Sequence, residues 1–461
     1  MDDLVVGFDL DLTLVDSRPS VIAVAAMLSE EYGVPIDGHL WASRFGPLLE
    51  QEIAQWFAPE LVDEVAWRYR ALMAEHGIAL SVALPGAAEA VAAVRRHGRA
   101  VVVTAKYEPL ARQTLDLLGI EVDAVHGWLW GTGKAEALLT EGAGVYVGDH
   151  PDDVLGARAA GAISVGVRTG GSEPVGADVL LEDLRTFPEW LVLHELEQLD
   201  SLLVAFSGGA DSAFLLAAAV RALGPDRVVA ATAVSPSLAQ AELPAARAFA
   251  ASLGVRHLTP TTRELDRAGY VANGSDRCFH CKATLVDTLR PLAQELGLAH
   301  VATGTNADDL VAGFRPGIRA AAERGAVTPL RRLTKQQVRD ASRRWGLVTA
   351  DKPALACLAS RIAYGLEVTP QRLSTVDRAE TAVRALLVPR DVRVRVLGDT
   401  TARVELDPEA LARWDARAES AVRAEGFTAV EVREFRSGSM NSGVLAGAEE
   451  QPEQREPEPA G

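Results

Sequence analysis

The sequence has little cysteine, no surplus of positive charge and no long apolar run, and each shortage excludes something. Three cysteines in 461 residues are too few, and too odd a number, for a disulfide framework. In a chain of this length they point to a metal-binding or catalytic role. A formal net charge of −17 argues against a wide basic surface, so nucleic acid is not an expected partner. No apolar run is long enough to span a bilayer, so no membrane is expected either. The opening Met1-Asp2-Asp3 lacks the basic-then-apolar layout of a signal peptide, which makes the cytoplasm the expected location.

A hydrophobic content of 48% with 24% charged residues describes a soluble globular protein, and the length asks for two or three domains. Apolar runs alternate with helical patterns, which predicts an α/β class with parallel sheets. A first domain is expected over 1–187, with a helical insertion at about 17–84 that carries Trp41, Trp56 and Trp67. A helix-like junction around Pro188-Glu189-Trp190-Leu191 leads to a second α/β domain over 198–365. A small C-terminal α+β piece is expected over 366–440, then a Pro/Glu/Gln-rich acidic tail over 441–461, predicted to be disordered. Trp345, Trp414 and the other aromatics read as core.

The residues from Leu202 to Leu216 read as a buried strand, a loop and an Ala/Leu-rich helix. Gly208 and Gly209 let the backbone turn tightly and approach a ligand. The loop enters a helix N-terminus, where unpaired N–H groups and the helix dipole favour an anion, and Ser207 and Ser212 add hydroxyls. The Gly-Lys-[Ser/Thr] of a Walker A loop is missing. Ser207-Gly208-Gly209-Ala210-Asp211-Ser212 instead resembles the PP-loop of ATP pyrophosphatases. The resemblance implies cleavage of ATP between the α and β phosphates, with Asp211 a candidate for Mg²⁺. Thr232, on the next apolar run, and Gly304, in Thr303-Gly304-Thr305-Asn306-Ala307-Asp308-Asp309, join the expected ATP site.

All three cysteines stand in recognisable segments: Cys278-Phe279-His280-Cys281, and Cys357 in Ala356-Cys357-Leu358-Ala359-Ser360-Arg361. With the PP-loop and Arg315-Pro316-Gly317, the stretch from about 198 to 440 closely resembles the ATP-dependent sacrificial sulfur transferases of the LarE type. That resemblance implies thiolation of the carboxylates of pyridinium-3,5-biscarboxylic acid mononucleotide through an acyl-adenylate, on the way to the nickel-pincer nucleotide cofactor. In the family's single-cysteine form the residue matching Cys357 gives up its own sulfur. In members with three cysteines, those matching Cys278, Cys281 and Cys357 hold a 4Fe–4S cluster with an open iron. Structural zinc with His280 or His257, or a reducible Cys278–Cys281 pair beside a sacrificial Cys357, stay open as alternatives. The substrate phosphate calls for a cationic clamp. Arg361 follows the cysteine motif, Arg393 and Arg395 share one face of a strand, and the resemblance adds Glu380. It also implies a homo-oligomer and other enzymes of the same pathway as partners. A PP-loop tRNA thiolation enzyme is the alternative, and the acidic balance gives it no RNA-binding surface.

In the first domain, Phe8-Asp9-Leu10-Asp11 sets two carboxylates two residues apart at a strand's C-terminal end, where open α/β sheets bind ligands. Thr104, Lys134 in Gly131-Thr132-Gly133-Lys134, and Asp149 with Asp153 in Gly148-Asp149-His150-Pro151-Asp152-Asp153 follow in order. A carboxylate nucleophile, an acid/base, phosphate-holding cations and Mg²⁺ ligands are what phosphoryl transfer needs. The set resembles the haloacid-dehalogenase superfamily, in its phosphoglycolate-phosphatase-like branch. By that resemblance Asp9 is the nucleophile, Asp11 the general acid/base, Thr104 and Lys134 bind phosphate, and Asp9, Asp11, Asp149 and Asp153 serve Mg²⁺. The family's glycine after the second aspartate is Leu12 here. The alternative is a catalytically inactive domain that serves as a scaffold.

Overall fold

The computed structural model describes residues 4–45, 48–353 and 356–436. The tail expected over 441–461 lies outside the described residues. The chain divides into two compact units, residues 1–192 with 331–333 and the remainder.

In the first unit, short Val-rich runs bury both faces, the pattern of strands in a covered parallel sheet. The strands are β1 (Leu4–Phe8), β2 (Val15–Asp16), β3 (Val82–Ala83), β4 (Gly98–Val103), β5 (Ala124–His126), β6 (Ala143–Gly148), β7 (Ile163–Val167) and β8 (Val179–Leu181). Six of them form one parallel sheet in the order β5-β4-β1-β6-β7-β8. Phe8 at the end of β1 lies opposite Val102 and Val147 on its two neighbours. The residues just beyond these three strands therefore meet at one sheet edge. They include Asp9, Thr104 and Asp149.

Residues 17–84 fold as helices Arg18–Tyr32, Gly38–Ala42, Leu49–Ile53 and Val62–Leu72 around their own core of Val24, Leu28, Ile53 and Val65. The antiparallel pair β2–β3 ties the two crossings into this cap together. Trp41 is buried there and stacks on Tyr69, but Trp67 is 54% exposed, which corrects the expectation that it belongs to a core. Its surroundings are a surface cluster with Tyr107 and Trp128.

The second unit has a parallel sheet of β9 (Leu202–Ala205), β10 (Val228–Ala231), β11 (Arg256–Leu258) and β12 (His300–Thr303), in the order β11-β10-β9-β12. β13 (Val392–Val396) and β14 (Thr401–Leu406) pair antiparallel, and β15 (Ala429–Glu434) adds parallel to β14. This small sheet packs on helix Pro370–Leu387, and its core takes in Tyr270, Leu358 and Ile362 from upstream of residue 366. No helix among the described residues is long and apolar enough to cross a membrane.

Candidate active sites

At the edge of the first sheet, backbone hydrogen bonds fix the site before any side chain does. The Asp9 N–H donates to Val147 O at 2.8 Å, and the Thr104 N–H to His126 O at 2.9 Å. Lys134, 1% exposed, donates through Nζ to Asp9 Oδ1 at 2.7 Å, to Asp153 Oδ1 at 2.6 Å and to the Tyr146 hydroxyl at 2.9 Å. Asp9, Asp149 and Asp153 each bring an oxygen within 4.8 Å of the other two, and all three are buried. Burial, with Asp153 and Asp11 nearby, pushes the Asp9 carboxyl up to about 7 although Lys134 pulls it down. Asp149 is raised for the same first reason, and then by Asp9 and Asp153. Burial works against the Lys134 ammonium, but Asp153 and Asp9 outweigh it and hold its pKa well above the ordinary value.

One ammonium does not balance three buried carboxylates. Crowded carboxylate oxygens are what a hard divalent cation such as Mg²⁺ takes as ligands, so the residues fit the ion. One correction concerns Asp11. Its side chain stands outside the close carboxylate group, because Oδ1 accepts from Lys106 Nζ at 2.8 Å and from the Ser17 hydroxyl. Thr104 is 1% exposed, and its hydroxyl accepts from the Lys106 N–H at 3.2 Å. Lys106 and Tyr146 were missed in the sequence. The only available signal for Lys106 was a charged residue two places beyond a strand end.

In the second unit, the loop after β9 is held from both sides. Gly208 has φ +74°, a conformation that L side chains rarely adopt. The Ser207 and Ser212 hydroxyls lie 3.1 Å apart, and Ser212 Oγ donates to Gly209 O at 3.1 Å. Gly304 crosses so close that a Cβ there would lie 3.0 Å from the Ser212 nitrogen. Burial raises the Asp211 carboxyl and Asp309 raises it further, against the Asn306 amide, so this segment and the loop converge. Thr232, 2% exposed, donates its hydroxyl to Phe206 O at 2.7 Å and shares a 2.8 Å contact with His257 Nε2. It braces the loop from beneath. Lys352, which no motif singles out, donates to Gly208 O and to Glu242 Oε2, both at 2.9 Å.

Cys278 and Cys281 lie in the opening of helix Arg277–Glu295, and Cys357 precedes the turn Leu358–Arg361. Arg277 ties the two together by donating to Ala359 O at 3.0 Å. Burial first, then the charge of Cys357 and, more weakly, Cys278, pushes the Cys281 thiol up to about 12, so the three sulfurs lie within electrostatic reach of one another. Among the described residues they do not close to the 4.8 Å that brings ligand atoms round one ion. His257 is engaged with Thr232, and His280 pairs with Asp276 at 3.0 Å. Lys282, also missed, is half-buried and feels Cys281, Cys278 and Asp309 at once.

The arginines form a buried network. Arg361 Nε donates to Glu380 Oε1 at 2.9 Å, and Arg361 Nη1 to Cys357 O at 3.1 Å. Arg395 Nε donates to Glu405 Oε2 at 3.0 Å, and Arg395 Nη1 to Ser360 O at 2.9 Å. Arg393 is pushed down to about 10 by burial and by Arg361, with Glu380 opposing. Glu405, on β14 opposite Arg393, is 0% exposed and was not foreseen. Three guanidiniums beside two carboxylates leave a positive excess suited to a phosphate.

The family model for haloacid dehalogenase-like hydrolases matches residues 6–158. An uncharacterized protein of Synechocystis is 44% identical over 236 residues, covering 51% of this chain and 84% of that protein. The pyridinium-3,5-bisthiocarboxylic acid mononucleotide synthase of Lactiplantibacillus plantarum is 33% identical over 254 residues, covering 53% of this chain and 91% of that one. The phosphoglycolate phosphatase of Neisseria meningitidis is 28% identical over 211 residues, covering 41% and 88%.

Proposed function

Through its second half this chain belongs to the family of the pyridinium-3,5-bisthiocarboxylic acid mononucleotide synthase, behind a haloacid dehalogenase-like hydrolase domain, and from that premise we propose an enzyme with two activities. The second half adenylates a carboxylate of pyridinium-3,5-biscarboxylic acid mononucleotide and replaces its oxygen by sulfur. The carboxylate oxygen attacks the α-phosphorus of ATP and pyrophosphate leaves, held by the Ser207–Ser212 loop. A sulfur nucleophile then adds to the acyl carbon and AMP leaves. Arg361, Arg393 and Arg395 hold the substrate phosphate. The observation that carries this is Arg361, which joins the arginine network directly to the Cys357 carbonyl. Lys282, within reach of the cysteines and of Asp309, supports a common site for ATP and sulfur.

Three thiols gathered within electrostatic reach, but not round one ion, fit a 4Fe–4S cluster better than a single zinc, whose sulfur ligands lie about 2.3 Å from the metal. Cys278, Cys281 and Cys357 would hold it, and its open iron would supply sulfide as the nucleophile.

In the first domain, Asp9 Oδ attacks the phosphorus of a phosphate monoester. The bond to the leaving oxygen breaks, and Asp11 gives that oxygen a proton. Water then attacks phosphorus, the Asp9 carboxylate leaves and Asp11 takes the proton, so ester and water give alcohol and phosphate. Lys134 and Thr104 hold phosphoryl oxygens. Asp9, Asp149 and Asp153 would hold Mg²⁺, which supplies charge neutralisation at those oxygens.

The test is anaerobic purification with iron and sulfide analysis, followed by turnover with ATP and the biscarboxylate nucleotide. About four irons per chain, release of AMP and pyrophosphate, and an intact Cys357 by mass spectrometry are expected. A colourless protein whose Cys357 becomes dehydroalanine would replace the cluster by a sacrificial sulfur. Absence of any thiocarboxylate would overturn the sulfur-transfer reading.

A further inference from the structure

Above the phosphate-binding end, the cavity of the first domain is walled by rings. Trp41 and Tyr69 from the cap lie stacked, with centroids 5.1 Å apart and planes 20° from parallel. Tyr107 and Trp128, on loops of the sheet domain, stack at 4.9 Å and 29° and line the same cavity. Asp9 and Lys134 line it as well.

Two of the wall residues are held against their own preferences. Trp128 is 51% exposed and has φ +59°, left-handed backbone that a bulky residue rarely adopts. Strain of this kind persists where surrounding structure imposes it, and it clusters at ligand-binding positions. Arg70 is 6% exposed, with its guanidinium 5.7 Å from the Tyr107 ring centroid and 5.5 Å from that of Trp128. It donates one arm to Glu50, while its buried Nε–H has no hydrogen-bond partner. A buried donor left without a partner is costly, and a ligand acceptor would satisfy it.

A two-carbon acid phosphate anchored at Lys134 would leave these rings and this donor untouched. Resting on the phosphatase reading above, we propose that the first domain hydrolyses phosphate monoesters whose leaving group carries a flat aromatic ring bearing a hydrogen-bond acceptor. An aromatic mononucleotide with a ring carboxylate belongs to that class. The ring rests against the aromatic walls and the acceptor pairs with the Arg70 guanidinium, which lines the same cavity. The phosphorus is attacked by Asp9, and the nucleoside alcohol leaves with the proton from Asp11. The reaction at phosphorus is unchanged, and the walls decide which ester reaches it.

The experiment compares kcat/KM of the full chain, with Mg²⁺, on nicotinate mononucleotide, p-nitrophenyl phosphate and 2-phosphoglycolate. Preference for nicotinate mononucleotide over 2-phosphoglycolate, both esters of an alkyl alcohol, by about tenfold or more is expected from ring stacking, while p-nitrophenyl phosphate, with its activated leaving group, reports the phosphatase activity itself. Trp128→Ala should lower the aromatic-to-glycolate ratio about tenfold, and Trp128→Phe should restore most of it. Arg70→Met should raise KM for nicotinate mononucleotide more than for p-nitrophenyl phosphate. A wild-type ratio at or below one would overturn the proposal while leaving the phosphatase intact. Failure to hydrolyse any of the three esters would overturn the phosphatase reading and this one with it.

Discussion

Leu12 follows the two catalytic-type aspartates with φ +62° and its side chain 2% exposed. Left-handed backbone costs an L residue about 1–2 kcal/mol, and burying a leucine returns about 1.5–3 kcal/mol. The two terms nearly offset, which is how a leucine persists where the resembling family keeps glycine. Leu12→Ala should therefore be less stable than Leu12→Gly by about 1 kcal/mol, the reverse of the usual order, because alanine loses the burial and keeps the strain. Urea midpoints of the two variants decide it. Lys134 poses the opposite case, a buried cation among carboxylates at 2.6 and 2.7 Å. Lys134→Met should destabilise the chain by about 3–5 kcal/mol in chelator, since it leaves buried charges uncompensated, and added Mg²⁺ should recover part of the loss in a thermal melt. Asp9 and Lys134 were legible because each sits in its own short motif. Lys106, Lys352 and Glu405 were not, because their partners lie far away in sequence and only the fold brings them near.

At the level of elements, β13 shows what alternation can and cannot convey. Val392-Arg393-Val394-Arg395-Val396 announces two arginines on one face, yet all five residues are buried. The family resemblance already set Glu380 beside these arginines, but nothing in the alternation showed that Glu405, from the next strand, would meet that face. Burial pushes the Glu405 carboxyl up, but Arg433 and Arg395 outweigh it and hold it below its ordinary value of 4.5. A carboxyl lowered by folding adds stability that is present above its unfolded value and is lost as pH falls through the folded one. Glu405→Gln should thus flatten the acid limb of stability below about pH 4.5, while costing about 3–5 kcal/mol at pH 7 by stranding the buried Arg395. Denaturant midpoints from pH 7 to pH 3 on both proteins would show it. Equal slopes would mean that Glu405 is not the titrating group.

Over the whole molecule, each unit has its own sheet, its own core and its own set of chemical groups. The two proposed activities should then be separable by point changes in the intact chain. Asp9→Asn should abolish phosphate release from p-nitrophenyl phosphate by at least about 10³-fold and leave ATP-dependent thiolation in place. Cys357→Ser should do the converse. If either change silenced both assays, the sites would not be independent. By itself the sequence determined the α/β class and the order of the two halves. Strand periodicity, glycine placement and motif spacing are local properties of a chain. Only tertiary structure decided which charges share a site, that Asp11 turns to Lys106, that Arg395 reaches the Ser360 carbonyl, and that Trp128 faces a cavity instead of a core. Those outcomes depend on contacts between distant segments, and burial sets the strength of each charge only after the chain has closed round it.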